Sequence, residues 1–185
     1  MKRFLVLIVA FFLFAGCSKN EDIDSALKFR NQLINSDGCT FDAVIYADYG
    51  DQIHTFSMRC EADASGMIKF EVTDPQTIAG ITGEYSSQGG KITFDDTALA
   101  FKSLTDNQLS PVSAPWILIH TLRGGYLTSA GEDGDFTRIA IDDSYEENAL
   151  HLDVWLDEKD LPSHSDILWK GRRILSLDVR NFCFL

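Results

Sequence analysis

Three kinds of apolar pattern succeed one another along this 185-residue chain. Phe4 to Phe14 is an uninterrupted apolar run. Ile23, Ala26, Leu27, Leu33 and Ile34 then recur at helical spacing, with Arg30 interrupting the stripe. From Cys39 onward the period falls to two. The helical stretch opens on Ser18-Lys19-Asn20-Glu21, which has capping-box spacing, and Glu21 and Asp22 suit the positive end of a helix dipole. Asp37-Gly38 ends it. The spacing predicts a helix whose apolar stripe faces a core.

Thr40 to Cys60 reads as a hairpin around Tyr49-Gly50. A two-residue turn sets Cys39 opposite Cys60, Phe41 opposite Met58, Ala43 opposite Phe56 and Ile45 opposite His54. These residues share one largely apolar face, while Thr40, Asp42, Ser57 and Arg59 fall on the other; a one-residue slip would scatter the pattern. In that register Cys39 and Cys60 form a non-hydrogen-bonded pair, with Cα atoms ~4.5 Å apart. This lies at the short edge of disulfide geometry, roughly 4.4–6.8 Å. A Cys39–Cys60 disulfide is therefore expected, and Cys183 is read as a small buried hydrophobe.

Further strands come next. Ile68, Phe70 and Val72 alternate with Lys69 and Glu71 after a turn at Asp63-Ala64-Ser65-Gly66. Gly89-Gly90 can join Tyr85 to a strand over Ile92–Phe94, and Leu99 to Phe101 can form another. Pro111 to Gly124 predicts a second helix, with Val112, Trp116, Ile119 and Leu122 on or near one face. Ile139 and Ile141 read inward, as do Leu150, Leu152, Val154 and Leu156. Lys170-Gly171 turns into a last strand whose phase shifts near Asn181, the mark of a bulge. Helix, about four strands, helix and about four strands, joined at hairpin length, imply an α+β fold: an antiparallel sheet with helices on one face.

The first apolar run changes the picture of where the chain resides. Eleven residues fall short of the ~20 that span a bilayer. With Lys2 and Arg3 before it, the run fits the h-region of a secretory signal. Ala15-Gly16-Cys17 then resembles the bacterial lipobox, although Phe14 stands where Leu is usual. The expectation is a cleaved signal over residues 1–16 and a single domain over 17–185. That domain would be tied through a diacylglyceryl-cysteine at Cys17 to a membrane of the cell envelope, on its extracytoplasmic face. Such a compartment can be oxidising.

A net charge of −12 repels phosphate backbones, so nucleic acid is not expected as a partner. It also disfavours adhesion to anionic lipid by charge. Glu61 to Val72 mimics the start of a calcium loop, but its twelfth position is Val72, where a bidentate acid is needed. His54, His120, His151 and His164 are widely spaced and form no zinc motif. No catalytic motif is found either, so a non-enzymatic protein without metal or cofactor is expected. The remaining candidates are apolar: Phe41, Phe56, Met58, Ile68 and Phe70 on the inner face, with Phe94 and Trp116 beside them. They can fill a core or line a cavity, and periodicity does not separate the two. Trp155 shares its face with His151, Asp153 and Asp157 and should point outward, under a loop or toward a partner.

The layout resembles the bacterial lipoprotein-carrier superfamily (LolA/LolB-like), which includes Gram-positive lipoproteins. The resemblance rests on the first helix leading into "CTFDAVIYADYG", the strand closing in "FEVTDP", the central helix and the final "LPSHSDILWKGRRILSLDVRNF". It implies a curved antiparallel sheet, an incomplete β-barrel, with helices over its concave face. It also implies either a cavity for a lipid, acyl group or lipoprotein, or a surface that docks a cell-envelope protein. With the capping signal directly after Cys17, almost no tether separates domain and membrane.

Overall fold

The computed structural model describes residues 19–48, 50, 52–95, 97–101, 104–105 and 108–185. The expected signal, Cys17 and the Ser18 cap lie outside them. Helix α1 spans Lys19–Asn35. It leads into strands β1 (Gly38–Asp48), β2 (Ile53–Asp63), β3 (Ile68–Asp74), β4 (Thr82–Ser86), β5 (Gly89–Phe94) and β6 (Thr97–Phe101). A two-stranded ribbon, β7 (Leu104–Thr105) and β8 (Gln108–Leu109), leads through a 3-10 turn at Pro111–Ser113 into α2 (Ala114–Gly124). The chain ends in β9 (Tyr126–Asp133), β10 (Phe136–Asp142), β11 (Leu150–Leu156), β12 (Pro162–Trp169) and β13 (Arg172–Phe184).

Eleven strands form one sheet in the order β6-β5-β4-β3-β2-β1-β13-β12-β11-β10-β9. Every neighbouring pair is antiparallel, and the sheet stays open at β6 and β9. All pairings but one join strands consecutive within the sheet's two halves. The exception is β1 with β13, which brings the two ends of the domain together in mid-sheet. This is the expected α+β fold, with helices on one face of an open, curved sheet.

The first hairpin keeps its predicted faces but not its partners. The terminal pair is Asp48 with Ile53, so the connection is two residues longer than the expected turn. Gly50 adopts φ 89°, and its N–H donates to the Asp48 carboxylate at 2.7 Å. An even shift leaves every side chain on its own face. It does change the opposite residue: Cys39 now faces Ala62, and Cys60 faces Phe41. The two cysteines become diagonal neighbours, a relation that separates Cα atoms by about 7–8 Å, too far for a disulfide. Cys39 and Cys60 are accordingly free, buried thiols. Burial pushes Cys39 up to about 12 and Cys60 higher still. The disulfide expectation is thereby corrected.

At the other end of β1 the anticipated bulge is present. Asn181 takes φ 54°, and the β1–β13 register shifts between Thr40 and Asp42. The Asn181 amide donates to the Asp42 carboxylate at 2.7 Å. One extra residue reverses the inside–outside phase of the rest of the strand. Phe182 and Phe184 turn toward the core, and Cys183 becomes exposed rather than buried. Phe29 of α1 is fully buried against this pair, with ring centroids 5.6 Å from Phe182 and 5.7 Å from Phe184. Phe182 also stacks on Phe41 at 5.8 Å.

Ala26, Phe29 and Leu33 are the residues α1 sends into the core; Ile23, Leu27 and Ile34, expected inward, are exposed. From α2, Ile117, Leu118, Ile119 and Leu122 are buried. Arg30, the break in the first stripe, donates from Nε to the Leu122 carbonyl at 2.7 Å. Arg123 acts on α1 in the same way, donating to the Leu33 carbonyl at 3.0 Å, and it also donates to the Ala64 carbonyl at 2.7 Å. Each arginine thus meets an electronegative carbonyl at the end of the other helix, where no backbone N–H of that helix's next turn is available to it. In α1, whose last turn holds no basic residue, the charge has to come from outside.

Alkylation should modify only Cys183 among the three described thiols of the native protein, and all three after unfolding without reductant. A Phe29→Ala substitution should lower stability by about 3–5 kcal/mol in urea unfolding, the usual cost of emptying a buried aromatic site.

Candidate functional site

The helix-side face of the sheet holds the expected apolar residues. Phe41, Phe56, Met58, Ile68 and Phe70 are all buried. Gly83 lies opposite Phe70 across β3 and β4, and a Cβ there would sit 2.5 Å from the Phe70 ring. Its missing side chain lets that ring lie across the strand. Trp116 is half-buried, with its ring 5.3 Å from buried Tyr85 and stacked on His120 at 4.6 Å. Between α1, α2 and the β9–β10 hairpin runs a narrow crevice lined by Ala26, Leu27, Arg30, Leu122, Leu127, Ile139 and Ile141. It has no room for a water molecule. In this part of the face the side chains act as core filling.

The apolar face nevertheless continues beyond the helices. Ile92 in β5 lies opposite Gly83 and Leu99, extending the row that begins at Phe70. Ile92 still packs against the core. Leu99 is 67% exposed, and Phe94, two residues along the same face of β5, is 52% exposed. Phe94, expected inside, has the predicted face but no helix over it. Ile92, Phe94 and Leu99 form the candidate binding strip, and Trp116, expected beside Phe94, packs instead on Tyr85 and His120. Alternation along β5 and β6 could have located it, whereas the reach of α2 could not be read from the chain.

The opposite face divides into two halves. Across β2 to β5, Arg59 faces Glu71, Glu61 faces Lys69, Lys69 faces Glu84, and Glu84 faces Lys91. These alternating charges line a shallow groove of about 410 Å³. Opposite charges on facing positions stabilise the ladder and keep this half solvated.

Across β10 to β13 the outer face is a hydrogen-bonded network. Trp155 points outward as expected. Its indole N–H donates to Asp133 at 2.8 Å, the Arg138 guanidinium lies 5.6 Å from its ring, and the His164 ring is 5.1 Å away. Arg138 in turn pairs with Asp153 at 2.8 Å. His151 Nδ1 lies 2.7 Å from Asp142. His164 is held between carboxylates, with Nδ1 2.8 Å from Asp178 and Nε2 3.2 Å from Asp166. The Asp166 contact, reinforced by Asp178 against the cost of burial, raises the imidazole above its ordinary value. Burial would raise Asp166, but hydrogen bonds from His164 and Ser176 and the nearby Arg173 outweigh it and hold the carboxyl at about 2. Ser176 donates to Asp166 and not to His164. With both ring nitrogens committed to carboxylates, His164 is a paired cation and not a general base for Ser176.

The acidic loop that mimicked a calcium site is a turn. The Asp63 carboxylate accepts the Ser65 N–H at 2.8 Å, the Ser65 hydroxyl at 2.6 Å and the Met67 N–H at 3.1 Å. Among the described residues no group of three or more His, Cys, Asp or Glu side chains is arranged to hold a metal ion.

No protein-family description and no curated protein matches the sequence. Solved structures do match. A LolA superfamily protein from Nitrosomonas europaea is similar with TM-score 0.51 and 9% identity, over 86% of this chain and 91% of that one. An outer membrane lipoprotein-sorting protein domain from Vibrio parahaemolyticus gives TM-score 0.49 and 9% identity, over 86% and 91% of the respective chains. A chain from the complex of the CwlD amidase with the GerS lipoprotein of Clostridioides difficile gives 0.45 and 11%, over 91% and 97%. The first of these carries the assignment: the chain has a LolA-like fold.

The His164 clamp has a pH signature. A raised folded pKa stabilises the fold fully below the ordinary histidine value of about 6.5, and that stability is lost as pH rises through the folded value. Thermal unfolding of wild type and His164→Asn should differ more at about pH 5.5 than at about pH 8.5. An equal difference at both would refute the clamp.

Proposed function

We propose that this is a lipid-anchored, non-enzymatic binding protein on the extracytoplasmic side of the cell envelope. It is held to a membrane through Cys17 and binds a lipid acyl chain along the open end of its helix-side face. One observation carries the reading: the apolar row that begins at buried Phe70 runs out along β5 and β6 and ends in exposed Phe94 and Leu99. Exposed large apolar residues continuous with a core mark a place where apolar matter binds. The crevice beside Leu27 and Leu122 is too small for cargo, and the proposed ligand site is the sheet's exposed end. The LolA-like fold supports this as analogy, since fold alone does not assign function.

The rival reading, a module that docks an envelope protein through Trp155, has no comparable observation behind it. The Trp155 indole N–H is engaged by Asp133, and Arg138 and His164 lie against the ring. That makes it part of the sheet's own outer network.

A fluorescent fatty acid titrated into the protein should gain emission, and a lysophospholipid should compete it off. Burying a large apolar side chain against the ligand is worth about 1.5–3 kcal/mol, so Phe94→Asp with Leu99→Asp should weaken binding at least about tenfold. Trp155→Ala should leave it unchanged. No binding by wild type, or equal binding by the double variant, overturns the reading.

A further inference from the structure

The two exposed ridges of apolar residues lie on different elements, and the one on α1 has a different use. Ile23, Leu27 and Ile34 are 37%, 48% and 48% exposed. At 3.6 residues per turn they fall within an arc of about 40°, forming a single line along the helix. Ala26, Phe29 and Leu33 already serve the core, and although Leu27 also flanks the crevice by Leu122, about half of its surface and of Ile34's stays in solvent. The cations nearest to it are committed within the protein: Lys28 pairs with Asp160 at 2.9 Å, and Arg30 donates to the Leu122 carbonyl. Asp24, Asn31, Gln32 and Asn35 are exposed on the remaining outward side.

We infer that this ridge lies against the membrane, with α1 parallel to the bilayer surface and Ile23, Leu27 and Ile34 at the acyl boundary. The occupant is set by where the chain goes before α1. Cys17 precedes Lys19 by two residues, which reach no more than about 7 Å when extended. An acylated Cys17 therefore starts the helix at the surface of the bilayer. A helix with one apolar line and a polar remainder lies in that interface and does not cross it. With net charge −12, contact depends on the apolar line and the anchor, not on attraction to anionic lipid. The inference rests on the reading of Cys17 as lipid-bearing.

The test uses the full chain, processed in a bacterial host and reconstituted in phosphatidylcholine vesicles. In a Cys183→Ser background the buried Cys39 and Cys60 stay unreactive, so an environment-sensitive fluorophore can be placed by Leu27→Cys, Ile34→Cys or Gln32→Cys. Labels at 27 and 34 should shift to the blue and be quenched at least about twofold by spin-labelled acyl chains; the label at 32 should do neither. Mass analysis of the N-terminal peptide reports acylation separately. An acylated chain whose three labels behave alike overturns the membrane-lying helix and leaves the anchor standing. A chain without acyl groups and without quenching overturns both. Selective quenching on a chain without acyl groups retires the anchor and keeps the helix at the bilayer.

Discussion

The pairing of β1 with β13 is the constraint on which the rest of the architecture depends. All other ladders are made by hairpins or short connections, so each half of the sheet can form from its own stretch of chain. Only the run from Cys39 with Phe184 to Ala47 with Leu175 joins the halves. Such a pairing closes a loop of nearly the whole domain before any reward is gained, which is slow in folding although only modestly costly in entropy. Its return is the aromatic cluster of Phe29, Phe41, Phe182 and Phe184, which seats α1. That cluster exists because the Asn181 bulge turns the end of β13 inside out.

The two helices then lock each other. Arg30 reaches the carbonyl end of α2, and Arg123 reaches the carbonyl end of α1 and the β2–β3 turn. This reciprocal arrangement ties the two helices to each other and to the turn between β2 and β3. Helices of 17 and 11 residues are about 25 and 16 Å long, or about five and three strand spacings. They do not cover eleven strands. An open end at β5 and β6 results from that arithmetic as directly as from any functional demand.

Much of this was legible along the chain. The period-two alternation assigned Phe41, Phe56, Met58, Ile68 and Phe70 to one face, and all five are buried there. The phase change near Asn181 announced its bulge. Legibility stopped wherever the answer lay in a distance between elements. Cys39 and Cys60 have the right face and the wrong partners, because a longer connection at Asp48 moved the register by two. Phe94 has the expected face and yet is half exposed to solvent. Trp155 points outward as its alternation requires, yet its indole is occupied by Asp133, a residue of β9 that joins it only through β10.

The chain by itself therefore determines features that are periodic and local: which segments are helix or strand, which side of each is apolar, and where turns fall. These come from backbone geometry, since side chains repeat every 2 residues in a strand and every 3.6 in a helix whatever surrounds them. Tertiary structure alone decided which inward residues became sealed core and which stayed open to solvent, which residue each cysteine faced, and which half of α1's apolar surface was left over. Each of these is a matter of how far one element reaches over another, and no single element's periodicity contains that length.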